Sequence, residues 1–276
     1  LKKGNILFAS PNFDSPRYCG LGSGEVKSES KIPFLSELLK KYDGYNLYVR
    51  DRFIDENATF DLRNLMEEAY NADTVLIYCE TPTNGESTDR KTLKLAKHYE
   101  DQIKICSKYN KNVVVLIYSG SAVDCSEWID DVNAVLYVGY GGEKVNDALV
   151  KILTGEVSPS GKLCETWPKT IYDTYTKLDV GEPNYERYSE GIFVGYRYFD
   201  KYEIEPMFPF GYGLSYANFE YSNIKINKIS ELDYEVNFDI SKTSDIEAKE
   251  VAQLYVSNIF ATVSKAIKEL KGFAKV

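Results

Sequence analysis

The residues whose types and spacing suit chemistry gather in one short stretch, ETPTNGESTDRK, from Glu80 to Lys91. It carries Glu80, Glu86 and Asp89 beside Arg90, and Asn84-Gly85 supplies a dipeptide that turns the chain easily. A carboxyl group on such a polar loop can be presented to a partner surface, where it can donate or accept a proton. The plain alternative is a solvated carboxylate ahead of a helix that begins near Arg90, favoured there by the helix dipole.

A second stretch, YCGLGSGEV at Tyr18 to Val26, is rich in glycine. As a dinucleotide fingerprint it is defective, because Glu25 stands where the third glycine belongs and about ten residues separate the preceding strand from Gly20, where a tight turn is required. Nucleotide binding is set aside on that defect, and an ordinary surface turn remains open. Metal and triad chemistry have little to work with. His98 is the single histidine and lies in the helical pattern LKLAKHYEDQ, with no CxxC and no second histidine to build zinc spacing. It reads as a solvated helix residue, and no GxSxG follows a strand.

The elements that must position these residues follow from periodicity. Asn5 to Ser10, Tyr45 to Arg50, Thr74 to Cys79, Asn112 to Tyr118 and Asn133 to Val138 read as buried strands. Pro33 to Tyr42, Phe60 to Asn71, Leu93 to Tyr109 and Glu143 to Leu153 read as helices, with Thr59 and Asp61 placed near the second helix start. This alternation predicts an α/β fold, a largely parallel sheet sandwiched by helices, over residues 1–167. Its loops after each strand, the carboxyl ends, are where a site belongs. Residues 168–217, rich in Tyr, Gly and Pro, read as an ordered connecting segment. From 218 to 276 the pattern changes to two-residue alternation, YSNIKINKI, DYEVNFDIS, KEVAQLYVS and KELKGFAKV, the strands of a partial antiparallel β-sandwich.

Composition excludes several classes. A net charge of −9, with the basic residues scattered, repels a nucleic-acid backbone. No stretch reaches the roughly 20 apolar residues that span a bilayer, and LKKGNILFAS reads as a strand and not as a signal peptide. Cys19, Cys79, Cys106, Cys125 and Cys164 are odd in number and read as reduced core thiols. They favour a reducing, cytoplasmic setting, although export from an anaerobe would look the same.

The run YSEGIFVGYRYFDKYEIEPMFPFGYGLSY, Tyr188 to Tyr216, resembles the segment that joins the α/β sandwich domain to the fibronectin-III-like domain in family 3 glycoside hydrolases, the β-glucosidase and β-xylosidase group. The resemblance extends over nearly the whole chain: GSAVDCSEWIDDVNAVLYVGYGGEKVNDALVKILTGEVSPSGKLCET from Gly120, and VAQLYV with KELKGFAKV as fibronectin-III-like strands. Gly155 reads as the glycine that ends a helix, and Pro159, Ser160 and Gly161 as the turn that follows it. SKTSDI, Ser241 to Ile246, replaces the usual Asn-Thr-Gly turn of a hairpin.

NGESTDR is similar to the family's S-G-E-G-x-D-R, which implies Glu86 as general acid/base and Asp89 and Arg90, matching its Asp-Arg pair, as substrate-binding residues; Ser87 replaces the second glycine. YCGLGSGEV is similar to the family's G-G-T-G-S-G, which implies that Gly22, Ser23 and Gly24 lie near the sugar, with Cys19 and Leu21 as departures. The resemblance implies part of an exo-acting retaining β-glucosidase-like enzyme without a metal or organic cofactor. Its substrate would be a β-linked glucoside or oligosaccharide, and its nucleophilic aspartate would lie on a (β/α)8 barrel domain that no residue here matches. Both ends of the chain read as cut from a longer one. A non-catalytic carbohydrate-binding or scaffold module of the same fold is the alternative, and a flavodoxin-like ligand-binding domain would fit the α/β alternation alone. The glycine loop and the segment Tyr188 to Tyr198 are expected on the same side of the sheet as Glu86.

Overall fold

The structure is a computed structural model that describes residues 1–9, 17–28, 32–50, 64–81, 90–175 and 188–276. Five strands, β1 (Gly4–Ala9), β2 (Tyr45–Arg50), β3 (Thr74–Glu80), β4 (Val113–Tyr118) and β5 (Ala134–Tyr137), form one parallel sheet in the order β2-β1-β3-β4-β5. Successive residues of a strand face opposite sides, so each central strand feeds two cores. Leu7, Val75, Ile77, Val113, Val115 and Ile117 pack under α2 (Leu65–Asn71) and α3 (Lys97–Tyr109). Ile6, Phe8, Leu76, Tyr78, Leu116 and Tyr118 pack under α1 (Leu35–Leu39) and α4 (Val145–Thr154). Burial on both faces is why β3 and β4 are almost unbroken apolar runs. At the edge, Tyr48 and Val49 of β2 are exposed.

The five predicted strands of the parallel sheet fall within a residue of those observed where described. The helices are shorter. α3 starts at Lys97 and not at Leu93, because the Leu93 carbonyl already accepts the Asp124 N–H at 2.9 Å and Arg90 Nη2 at 2.8 Å. It is not left to open a helical turn. α2 opens at Asn64, in the left-handed region at φ 66° without a side-chain cap, while Thr59 and Asp61 lie outside the described residues. α4 ends as expected, with Gly155 at φ 82° donating to the Ile152 carbonyl at 3.0 Å.

Beyond the sheet the chain doubles back on itself. Trp167 and Phe208 form an antiparallel bridge, Leu163 N–H donates to the Tyr212 carbonyl at 2.8 Å, and Gly211 N–H donates to the Leu163 carbonyl at 2.8 Å. The short helix α5 (Tyr196–Lys201) precedes this return. Strands β6 (Phe219–Lys228) and β7 (Tyr234–Lys242) form one antiparallel pair, and β8 (Val251–Val256) and β9 (Glu269–Lys275) form another. Ser241 to Ile246 is therefore not a hairpin turn: β7 and β8 belong to different sheets, and the segment crosses between them.

None of the five cysteines forms a disulfide. Cys79, Cys106 and Cys125 are buried as expected, but Cys19 is half-buried and Cys164 exposed, so these two are not core thiols. His98 is half-buried, its ring centroid 4.0 Å from that of Tyr99, and burial lowers its pKa; it is not the solvated helix residue that its neighbours suggested. Among the described residues, no helix is long and apolar enough to cross a membrane and no cluster of His, Cys, Asp and Glu has metal-site geometry.

Candidate functional site

The strand order reverses at β1, which pairs with β2 on one side and β3 on the other. The connection from β1 leads to α1 on one face of the sheet, and that from β3 leads to α3 on the other. Loops that part in this way open a crevice at the carboxyl ends of the two strands, where ligands of open parallel sheets bind. The glycine-rich stretch follows β1 in the chain, and the chain leaves β3 at Thr81. Glu86 and Asp89 lie outside the described residues, but the residues flanking them, Thr81 and Arg90, are described.

The two connections meet at their roots. Arg17 N–H donates to the Tyr78 hydroxyl at 3.1 Å, which donates to Glu80 Oε2 at 2.8 Å, and Arg17 Nε stands 3.9 Å from the same oxygen. Burial, followed by the Glu80 charge, raises the Tyr78 pKa far above the ordinary range, which keeps its proton in place as the donor. The Tyr18 carbonyl accepts the Gly142 N–H at 2.9 Å, tying the glycine loop to the turn after β5. Tyr140 of that turn packs behind the turn after β4: a Cβ at Gly120 would meet its ring at 2.6 Å, and one at Gly20 would lie 3.9 Å from it. Gly22, Ser23 and Gly24 form a short 3-10 turn, with Gly22 at φ 71°, and are exposed.

Arg90 is half-buried with its fork turned into the protein. Nη1 donates to Ser121 Oγ at 3.0 Å and to the Ala122 carbonyl at 2.9 Å, and Nη2 donates to the Leu93 carbonyl at 2.8 Å. Burial lowers its pKa, while Tyr140, Glu165 and Tyr137 act in the opposite sense. Glu165 is half-buried, and burial raises its pKa, partly offset by Trp167 and the Arg90 guanidinium. Tyr137 is pushed up to about 12, chiefly by burial. The rim at this end thus combines a carboxyl held toward its neutral form, a cation and several phenols. Sequence reasoning did not single out Arg17, Glu165, Tyr137 or Tyr140. Tyr140 carried a signal, the glycines Gly139, Gly141 and Gly142 straight after a strand; Glu165 carried none.

In the segment Tyr188 to Tyr198, Tyr196 and Tyr198 pack against other aromatic residues. The Tyr196 ring lies 5.1 Å from that of Phe210 and 5.9 Å from that of Tyr255, its hydroxyl accepts the Leu270 N–H at 2.9 Å, and Tyr198 packs edge-on against Tyr175 at 5.4 Å. These contacts tie α5 to β8 and β9.

The architecture is a doubly wound sheet with a polar rim at its switch point, continued into antiparallel β-pairs. Residues 1–216 match the family described as the glycosyl hydrolase family 3 C-terminal domain. The chain belongs to that family. It is 35% identical over its whole length to thermostable beta-glucosidase B of Acetivibrio thermocellus, of which it covers 38%. It is 34% identical, over 95% of its length, to an exo-alpha-(1->6)-L-arabinopyranosidase of Bifidobacterium breve, of which it covers 35%. The crystal structure of a Bifidobacterium adolescentis GH3 beta-glucosidase superposes on 99% of this chain with a TM-score of 0.90 at 32% identity, and the match takes up 41% of that protein. Beta-glucosidase 3B of Thermotoga neapolitana, solved with alpha-D-glucose, covers all of this chain with a TM-score of 0.87 at 28% identity and 43% of its own length. The chain thus spans well under half of the proteins it matches.

Proposed function

We propose that this chain supplies the general acid/base, Glu86, and one wall of the sugar site of an exo-acting retaining glycoside hydrolase of the β-glucosidase type. In this reading Glu86 protonates the departing glycosidic oxygen and then takes a proton from the water that releases the sugar. The nucleophilic carboxylate comes from a (β/α)8 barrel outside this chain, with the two carboxyl groups about 5–5.5 Å apart as retention requires. To act as an acid near neutral pH, Glu86 needs its pKa raised by burial against the sugar and by the nucleophile's charge. Gly22, Ser23, Gly24 and Asp89 line the sugar side, where glycines allow close approach.

The observation that supports the reading is that the chain leaves the carboxyl end of β3, next to the point where the strand order reverses, with Glu80 at that end paired to Arg17 at the root of the glycine loop. Relatives of nearly equal identity are named for different sugars, one a beta-glucosidase and one an L-arabinopyranosidase. A β-linked glucoside is the first substrate to try.

The test is Glu86→Ala in the full-length protein. The kcat/KM for an unactivated β-disaccharide is expected to fall about a hundred- to ten-thousand-fold, with a far smaller loss in kcat/KM on an aryl glycoside whose leaving group needs no proton. Equal activity of variant and parent on the disaccharide would end the assignment, and would leave a non-catalytic carbohydrate-binding module as the better reading. This chain alone, carrying one of the two carboxyl groups, is expected to release nothing from aryl β-glucosides above buffer.

A further inference from the structure

We propose that Thr81, Ser119, Ser121 and Arg90 form a clasp that holds both ends of segment 82–89 on one turn and so positions the Glu86 carboxyl; the proposal rests on the reading of Glu86 as the acid/base. Residue 81 ends the connection on its β3 side and residue 90 on its far side. The two are linked through the turn that follows β4 by a continuous path of hydrogen bonds. Thr81 Oγ1 donates to Ser119 Oγ at 2.9 Å; Ser119 Oγ donates to the Ser121 carbonyl at 2.7 Å and accepts the Ser121 N–H at 3.2 Å. Ser121 Oγ and the Ala122 carbonyl then receive Arg90 Nη1.

Three features set this path apart from an incidental polar cluster. Thr81 and Ser119 are 1% and 0% exposed, so their hydroxyls left water at a cost that only partners within the protein offset. Ser119 Oγ uses its full capacity, one donated and two accepted bonds, which fixes its rotamer and that of Thr81. The path also starts just where the sheet ladder stops, since Glu80 and Tyr118 are the last pair of β3 and β4, and the Thr81 N–H reaches the Tyr118 carbonyl at 3.3 Å. Side-chain bonds therefore continue the ladder beyond its end. Tyr140 backs the turn at Gly120, where a Cβ would meet its ring.

Tying both ends of a short segment to one fixed turn cuts the conformations open to the residues between them. It also forwards any shift of that turn to them, and an error of about 1 Å in a reacting group can cost about a hundredfold in rate. In this account Arg90 is a positioning residue whose fork faces the protein and not the sugar.

The experiment uses the full-length protein with Thr81→Val, Ser119→Ala and Arg90→Lys, assayed beside Glu86→Ala. Each clasp variant is expected to lose about ten- to a hundredfold in kcat/KM on an unactivated β-disaccharide and less than about threefold in kcat/KM on a dinitrophenyl glycoside, whose first step needs no acid. The basic limb of the kcat pH profile on the disaccharide should move. Thr81→Ser, which keeps the hydroxyl, should recover most of the loss. Equal losses on both substrates, or no loss in Arg90→Lys and Thr81→Val, would overturn the clasp as a positioning device. If a variant unfolds, Arg90→Lys decides: parent-like discrimination in it refutes the proposal. If Glu86→Ala itself lacks the leaving-group split, the acid/base reading fails. If it shows the split and the clasp variants do not, only the clasp fails.

Discussion

Two regions of this chain hold its polar and glycine residues for opposite reasons. The first is the seam where 158–167 meets 207–217. There Gly213 sits so close to the Gly161 carbonyl that a Cβ would lie 2.3 Å from it, and Gly211, at φ 80°, faces Gln253. Ser158 and Ser215 share a hydrogen bond of 2.9 Å, and Trp167 packs edge-on between Tyr137 at 5.1 Å and Phe208 at 5.9 Å. Lys162 Nζ lies 3.1 Å from Glu250 Oε1 and donates to the Gly213 carbonyl at 2.6 Å, joining the seam to the residue just before β8. Every one of these contacts has a packing reason. The second region is the rim at the carboxyl end of the sheet, where the Arg90 Nε is buried without a partner among the described residues and Glu165 is held toward its neutral form. A densely patterned sequence can thus mark a joint, and the chemistry can lie in a stretch with far less pattern.

Substitutions should separate the two regions, the seam answering in stability and the rim in chemistry. Trp167→Ala should cause the largest loss, about 3–5 kcal/mol in denaturant unfolding, because it empties a fully buried indole site. Lys162→Ala should cost about 3 kcal/mol by leaving the buried Glu250 carboxylate unpaired, while the double change Lys162→Met with Glu250→Leu should cost less than the single one. Gly213→Ala should cost about 1–3 kcal/mol, since a backbone carbonyl has little room to give way. In the full-length protein, none of the three should alter the ratio of disaccharide to aryl-glycoside cleavage. A changed ratio in Gly213→Ala, at unchanged temperature dependence, would break the division between seam and rim.

The sandwich was legible in the sequence because burial on two faces leaves continuous apolar runs, and β3 and β4 carry them without interruption. The start of α3 was not legible. Leu93 fits helical periodicity, but its carbonyl is taken by Asp124 and Arg90, tertiary partners that a local pattern cannot contain. The crossing at Ser241 to Ile246 was misread for a related reason, since alternation identifies strands without saying which two pair. At the site, the glycine and carboxylate stretches were legible as motifs, while the contact of Arg17 with Tyr78 and Glu80 was not, because it joins residues about sixty positions apart. The clasp of Thr81, Ser119 and Ser121 was hidden because serine and threonine next to a strand read as ordinary loop residues.

A smaller effect sharpens the contrast from the rim side. The folded-state pKa of Glu165 lies above its ordinary value of 4.5, chiefly through burial, so the folded state binds this proton more tightly than the unfolded state does. Stability should therefore decline as pH rises from the ordinary carboxylate range through the raised value. Glu165→Gln should remove that part of the slope and shift the urea midpoint at pH 7 upward by at most about 0.3 M. A variant that loses stability at pH 7 while its pH slope is unchanged would mean that the Glu165 carboxylate is stabilising there.

The account rests on Glu86 being the group that handles the proton, and the product formed in azide tests it most directly. Full-length Glu86→Ala should release an activated aryl β-glucoside's leaving group normally but stall at the glycosyl-enzyme stage, for want of a base to activate water. Azide, which needs no such base, should then accelerate turnover and yield β-glucosyl azide, with no adduct from the parent enzyme. A Glu86→Ala variant that neither speeds up in azide nor forms the β-azide, while still hydrolysing the disaccharide as the parent does, would contradict the assignment.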